Sequence, residues 1–177
     1  MPRIKNKNRD VRNMIRVGII GIGHIAEDYI SMFSKGLIKD AKLTALTSRN
    51  RDHLERIRKE YDLGETALFS SLEEMLDGDF VDAVIITAPN LYHPEMAVKL
   101  LQSGKHVLVE KPVGIKIKEV EELKKEADLV PHLKVGVMFN KRSSDIYSFV
   151  KDKIKSGDMG ELRRAIWQIT NQYRTYD

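Results

Sequence analysis

The fold is decided by the stretch from Arg16 to Ala26, which reads RVGIIGIGHIA. A short apolar run meets Gly-x-Gly, and a helical pattern follows at once. This order of strand, glycine-rich turn and helix is typical of the start of a dinucleotide-binding βαβ unit. Gly21 permits the tight turn, Gly23 lets backbone approach a pyrophosphate, and the start of the helix offers free N–H groups to phosphate. Taken alone, the motif is equally compatible with a plain strand–helix turn, so the rest of the chain must decide.

Strand and helix patterns alternate from residue 16 to about residue 140, which predicts an α/β fold with a doubly wound parallel sheet of the Rossmann type. The predicted strands are 16–20, 42–47, 67–69, 83–86, 106–110 and 133–138. The predicted helices are 24–33, 51–61, 94–103 and 117–127, with a short one opened by a capping box at Ser71–Glu74. Residues 145–155 predict a further helix. Residues 162–173 predict a strand that carries Ala165, Trp167 and Ile169 on one face.

These patterns divide the 177 residues into three parts. Residues 1–14 form a basic tail that we expect to be disordered, 15–140 form the dinucleotide-binding domain, and 141–177 form the first helix and strand of an α+β second domain. Residues 1–16 hold six basic side chains and one acid, a net +5, whereas the whole chain is +4. Such a tail could contact nucleic acid, but it lacks aromatic residues, and we therefore expect no nucleic-acid partner.

Composition excludes several classes of site. The chain has no cysteine, which rules out disulfides, thiolate metal sites and cysteine nucleophiles. No apolar run approaches the roughly 20 residues of a membrane span, and the apolar stretch after Arg16 is too short for a secretory signal. We therefore expect a cytoplasmic location, no membrane partner and no metal site.

The end of the second predicted strand bears on the choice of cofactor. Dinucleotide folds usually carry an acidic residue there to hold the ribose hydroxyls, but this strand ends in Thr47-Ser48-Arg49-Asn50. A hydroxyl beside a guanidinium suits a 2′-phosphate. The sequence therefore favours NADP over NAD, with NAD still possible. In the alternative interpretation, Arg49 is a solvated residue at a helix cap.

Two further segments lie at the carboxyl edge of the predicted sheet, where open α/β folds bind ligands. Residues 87–93 read TAPNLYH, and their polar members Asn90 and His93 could line a nicotinamide pocket. Residues 110–112 read EKP, and Lys111 could orient a substrate oxygen and carry a proton. His93 could instead be a helix-entry residue, and the tripeptide could be an ordinary strand exit.

In this order and spacing, GIGHIA at 21–26, TAPN at 87–90 with His93, and GKHVLVEKP at 104–112 resemble the Gfo/Idh/MocA oxidoreductase family. The resemblance implies that Lys111 is the active-site lysine and that a cis peptide precedes Pro112. It assigns cofactor binding to Gly21, Gly23, His24, Ile25, Ser48, Arg49, Ala88, Asn90, His93, Glu110, Lys111 and Pro112.

The same resemblance implies hydride transfer between a nicotinamide and a sugar, cyclitol or related hydroxy compound. The strand predicted over 162–173 has an unpaired edge, so we expect it to pair with another copy of the chain, as a homo-oligomer. Enzymes of this family continue through a large second-domain sheet that supplies a catalytic histidine. The sequence ends at Asp177, one strand into that sheet, so we expect this chain to be the nucleotide-binding half of such an enzyme. The alternative is a non-catalytic NAD(P)-binding protein or redox sensor.

Overall fold

The computed structural model describes residues 14–166 and residue 168, and the chain separates into two compact units. The first unit runs to Met138 and the second begins at Phe139. Residues 1–13 of the basic tail predicted over 1–14 lie outside the described residues. So do residues 167 and 169–173 of the predicted strand 162–173, which include Trp167 and Ile169. Within those residues, no helix has both the length and the apolar character needed to cross a bilayer.

The first unit contains one sheet of six parallel strands in the order β3-β2-β1-β4-β5-β6. The strands are β1 (Ile15–Ile20), β2 (Ala41–Thr47), β3 (Ala67–Phe69), β4 (Ala83–Ile86), β5 (His106–Glu110) and β6 (Val135–Met138). The helices are α1 (His24–Ser34), α2 (Arg51–Glu60), α3 (Leu72–Leu76), α4 (His93–Gln102) and α5 (Ile117–Leu129), and α6 (Asp145–Lys155) follows in the second unit. The predicted doubly wound parallel sheet is confirmed.

The core consists of two apolar layers, one on each face of the sheet, because successive strand residues point to opposite faces. Ile19 packs with residues of α1 and α2 such as Ile30 and Leu54, whereas the neighbouring Ile20 packs with residues of α3 and α4 such as Met75 and Leu100. Strands that are buried on both faces read as continuous apolar runs, which is why residues 83–86 and 107–109 carry no polar side chain.

Local signals set the ends of several helices. Ser71 caps α3, since its hydroxyl accepts a hydrogen bond from the Glu74 N–H at 3.1 Å. The Glu74 carboxylate reaches back to the N–H of Ser70 at 2.7 Å, one residue earlier than a standard capping box would place it. At the other end, α5 continues to Leu129 rather than stopping at residue 127, and β6 starts two residues later than predicted.

The second unit contains α6, which has the predicted bounds and follows a 3-10 turn at Asn140–Ser143. Gly157 and Gly160 then adopt left-handed backbone with φ of 80° and 65°, as expected for the turn predicted there. The predicted strand over 162–173 does not appear in its described part, since residues 162–166 and 168 belong to no strand. A β-strand is stabilised by pairing with a neighbour, and no described residue provides one for this segment.

Candidate functional site

The glycine-rich turn after β1 is packed directly against the loop after β4. Gly21 has a φ of 88°, and a side chain there would overlap the backbone N and Cα of Ala88. Its own N–H donates to the carbonyl oxygen of Thr47 at 3.0 Å, at the end of β2. Glycine is therefore required at residue 21 both by the conformation of the turn and by the approach of the neighbouring loop.

Thr87 fastens the end of β1 to the end of β4. Its N–H donates to the carbonyl oxygen of Ile20 at 2.9 Å, and its hydroxyl donates to that of Gly21 at 2.6 Å. The sequence motif contained this threonine but gave no sign of this role, because the bond depends on which strands are neighbours. The three strand ends β2, β1 and β4 are thus held in fixed positions relative to one another.

The N-terminus of α1 is free to bind an anion. Gly23 precedes the helix, no side chain caps it, and a methyl group built on Gly23 would meet no atom within 4 Å. His24 and Ile25, the first two helical residues, are exposed. The unpaired N–H groups of the first turn and the positive end of the helix dipole therefore face open space, as a phosphate site requires.

The end of β2 borders an open depression of about 530 Å³ that is lined by residues 48–52. Arg49 is exposed and forms no ion pair with any described residue. The cap of α2 is Asn50, whose Oδ1 accepts from the N–H of His53 at 3.0 Å, so Arg49 stands one residue before the cap. Arg51 lines the same depression, although sequence reasoning did not select it.

A second depression of about 350 Å³ lies at the ends of β4 and β5. It brings together seven of the predicted site residues with two neighbours, and its lining consists of Ile25, Thr87, Ala88, Pro89, Asn90, His93, Glu110, Lys111 and Pro112. Lys111 is exposed, and its ammonium group forms no ion pair within the described part of the chain. The Lys111–Pro112 peptide is cis, as the resemblance implied.

His93 joins the two loops that form the wall of this second depression. It is 2% exposed, with Nδ1 2.8 Å from the carbonyl oxygen of Pro112 and Nε2 2.6 Å from that of Ala88. Both polar atoms of the ring are therefore occupied by backbone. His93 therefore borders the depression from its buried side, where it fixes the loops that carry Ala88 and Pro112.

Glu110 is a second buried polar group at this end of the sheet. Its Oε1 accepts from the hydroxyl of Tyr29 at 2.7 Å, and its Oε2 accepts from the N–H of Lys111 at 3.2 Å. Burial raises the pKa of the Tyr29 phenol well above its ordinary value, and the bond to Glu110 raises it further, so the hydroxyl remains a donor. Tyr29 was not predicted as a site residue, because nothing in its local sequence indicates a partner 81 residues away.

The order of the strands places the glycine-rich turn between the two depressions. The ends of β2, β1, β4 and β5 follow one another along the sheet, and three steps of about 4.8 Å separate the first from the last by about 14 Å. A basic open surface, an uncapped helix start and a partly apolar depression with an exposed lysine therefore lie in a row. This arrangement suits an extended ligand with anionic groups at its centre.

Comparison with known proteins agrees with this geometry. The family model described as "Oxidoreductase family, NAD-binding Rossmann fold" matches residues 15–137. A scyllo-inositol 2-dehydrogenase (NADP(+)) of Bacillus subtilis (strain 168) is 39% identical over 110 residues, which are 62% of this chain and 32% of that protein. A glucose-6-phosphate 3-dehydrogenase of the same organism is 30% identical over 84% of this chain and 40% of its own length.

A solved structure shows the same fold. The scyllo-inositol dehydrogenase from Lactobacillus casei, solved with bound NAD(H) and scyllo-inositol, superposes with a TM-score of 0.78 at 30% identity, and it covers 84% of this chain. The match takes in 43% of that structure. The chain thus spans less than half the length of the relatives it matches.

Proposed function

Since the chain belongs to the Gfo/Idh/MocA family of oxidoreductases, we propose that it binds a nicotinamide dinucleotide along the carboxyl edge of its sheet. In this proposal it is the nucleotide-binding half of an enzyme that transfers hydride between the nicotinamide and a hydroxyl-bearing carbon of a cyclitol or sugar. The observation that carries the proposal is the position of the glycine-rich turn, between a basic depression and a depression that contains Lys111.

The residues present fit such a cofactor. The free N-terminus of α1 and the open space beside Gly23 suit the pyrophosphate. Ser48 and Arg49 suit the adenosine end, and the unpaired guanidinium of Arg49 favours a 2′-phosphate over two ribose hydroxyls. NADP is therefore our proposal for the preferred cofactor. The relatives include both an NADP(+) enzyme and an NAD(H)-bound one, so the choice depends on this strand end.

Lys111 is the residue we assign to the reacting oxygen. When bound, the nicotinamide supplies the acceptor or donor of the hydride. Oxidation of an alcohol also releases the hydroxyl proton, and an amine at the rim of the depression can hold the oxygen and exchange that proton. The Lys111 side chain meets this need because it is exposed in the depression and has no competing ion pair within the described residues.

The cofactor proposal is tested by calorimetric titration of the chain with NADPH and NADH. We expect NADPH to bind about 10- to 100-fold more tightly, the scale of a charge-assisted hydrogen bond to phosphate. Arg49→Ala should remove most of that preference. Arg56→Ala is the matched control, since it removes one exposed arginine from α2 outside the depression. Equal affinity for the two cofactors, or a preference that survives Arg49→Ala, contradicts the assignment.

The substrate class is tested by measuring the turnover of the protein purified from the organism that produces it. Reduction of NADP is followed with scyllo-inositol, myo-inositol and glucose 6-phosphate, which represent the compounds that the relatives' names specify. We expect one of these polyols, or a close analogue, to be oxidised. Tight cofactor binding without turnover on any polyol would favour the non-catalytic alternative.

A further inference from the structure

Helix α1 and strand β5 are connected by one buried hydrogen bond between side chains. The hydroxyl of Tyr29 lies 2.7 Å from Oε1 of Glu110, and each residue is 9% exposed. Burying a carboxylate costs folding free energy unless hydrogen-bond donors surround it, so this pair is more than ordinary core packing. A phenylalanine at residue 29 and an apolar residue at 110 would fill the same layer without that cost.

The second oxygen of the same carboxylate points to the backbone of Lys111. Oε2 of Glu110 accepts from the Lys111 N–H at 3.2 Å. One carboxylate therefore bridges α1 to the peptide that carries the lysine. Because α1 also presents its N-terminus to the cofactor phosphates, the bridge sets the distance between the phosphate site and Lys111.

We propose that Tyr29 is a positioning residue, which acts through Glu110 to hold Lys111 in register with the bound cofactor. The proposal rests on the proposed function, because it takes Lys111 as the residue at the reacting oxygen. Tyr29 lies on the buried face of α1 and lines neither depression. The tyrosine hydroxyl is the part of the side chain that does this work, and the ring alone would leave one oxygen of Glu110 without its donor.

The first test is amide hydrogen exchange at Lys111 in the 177-residue chain, measured by NMR. Tyr29→Phe removes only the hydroxyl, and we expect the Lys111 amide to exchange about tenfold faster, the scale of one hydrogen bond to a charged group. Tyr61→Phe is the matched control. Tyr61 packs against the same core layer, and its hydroxyl makes no hydrogen bond to a described residue.

A conservative variant separates positioning from charge. Glu110→Gln keeps an oxygen that can accept from the Lys111 N–H and an amide that can pair with the oxygen of Tyr29. Glu110→Ala keeps neither. We expect the Lys111 amide to stay protected in Glu110→Gln and to lose protection in Glu110→Ala. If Glu110→Ala fails to fold, Tyr29→Phe still tests the proposal on its own.

The second test is the steady-state turnover of the protein and its variants, purified from the organism that produces it. Tyr29→Phe should lower kcat about 3- to 10-fold while the cofactor Kd stays within about twofold, because the phosphate site is untouched. If Lys111→Ala retains normal turnover, the proposed function is wrong, whatever Tyr29 does. If Lys111→Ala abolishes turnover but Tyr29→Phe matches Tyr61→Phe in exchange or in kcat, the positioning role is wrong and the proposed function stands.

Discussion

A methyl group added at Gly21 should disrupt both the fold and the proposed cofactor site. At φ 88° an alanine takes a backbone conformation that costs about 1–2 kcal/mol. Its Cβ would also overlap the backbone of Ala88. That backbone has little room to retreat, because the carbonyl of Ala88 is held by His93 and the hydroxyl of the adjacent Thr87 is bonded to the Gly21 carbonyl.

The loss of stability is the sum of the conformational cost at φ 88° and the cost of the overlap with Ala88. Overpacking a fixed site adds typically 1–3 kcal/mol to the conformational cost. Gly21→Ala should therefore lower the free energy of unfolding by about 3 kcal/mol. At about 2–4 °C per kcal/mol for a chain of this size, Tm should fall by roughly 6–12 °C. Cofactor affinity should fall as well, since the turn that leads into α1 is displaced.

Two other glycines supply the controls for the two contributions. Gly36 has a φ of 64° and open space around its position, so Gly36→Ala carries the conformational cost alone, about 1 kcal/mol, and should lower Tm by about 2–4 °C. Gly23 has a φ of −130° and also faces open space. Gly23→Ala should therefore fold with unchanged stability, yet bind the cofactor at least tenfold more weakly, because its methyl group occupies the path of the pyrophosphate.

The measurements are thermal unfolding without ligand and calorimetric titration with NADPH. The reasoning predicts that Gly21→Ala loses stability and binding, Gly36→Ala loses stability alone and Gly23→Ala loses binding alone. A Gly21→Ala variant no less stable than Gly36→Ala would show that the loop after β4 moves away freely. A Gly23→Ala variant with normal affinity would show that the phosphates do not approach this turn.

Three further predictions concern single residues. Lys111→Ala should lower turnover by about 10²–10⁴-fold with little change in cofactor affinity, as expected for loss of a proton-transfer group, and initial rates with saturating cofactor measure it. The Arg16 guanidinium, hydrogen-bonded to Asp82, holds the pKa of that carboxyl below its ordinary value. The bond therefore stabilises the fold fully above a pH of about 4, and progressively less as the pH falls through the lowered pKa. Denaturant titrations at pH 7 should show that Asp82→Asn lowers the free energy of unfolding by on the order of 1 kcal/mol. This difference between the two proteins should shrink in acid. Ser71→Ala should lower the free energy of unfolding by about 1 kcal/mol through loss of the α3 cap, as judged by urea unfolding against the neighbouring Ser70→Ala.

The sequence predicted the helices and strands of the first unit well because each one is indicated by a pattern within its own residues. The strands 83–86 and 106–110 were predicted with their observed bounds from short branched apolar runs, and the glycine-rich turn was predicted from its spacing. The two depressions were also anticipated in outline, since parallel strands end at the same edge of a sheet. Seven of the nine residues that line the second depression, Lys111 among them, came from motifs alone.

The contacts that hold the site together could not be predicted in the same way. The Tyr29–Glu110 bond and the two carbonyl contacts of His93 depend on which side chains meet across α1, β4 and β5 after packing. Neither residue 29 nor residue 93 carries a local signal that distinguishes a buried hydrogen bond from ordinary core packing. The strand predicted over 162–173 failed for the opposite reason. Its local signal is clear, because apolar and polar residues alternate, but no described residue provides the neighbouring strand with which it would pair.

The two ends of the proposed cofactor site should respond differently to salt, because one is built from exposed charge and the other from buried hydrogen bonds. Arg49 is solvent-exposed, so its attraction for a 2′-phosphate is screened within about 8–10 Å at physiological ionic strength. The side chains of His93 and Glu110 are buried, so salt should screen their contacts with the loops after β4 and β5, including the bond from the Lys111 N–H to Glu110, much less. Raising the salt should therefore erode the preference for NADPH over NADH while the amide protection of Lys111 stays constant. A preference that is independent of salt would place the discriminating contact in a buried part of the site rather than at Arg49.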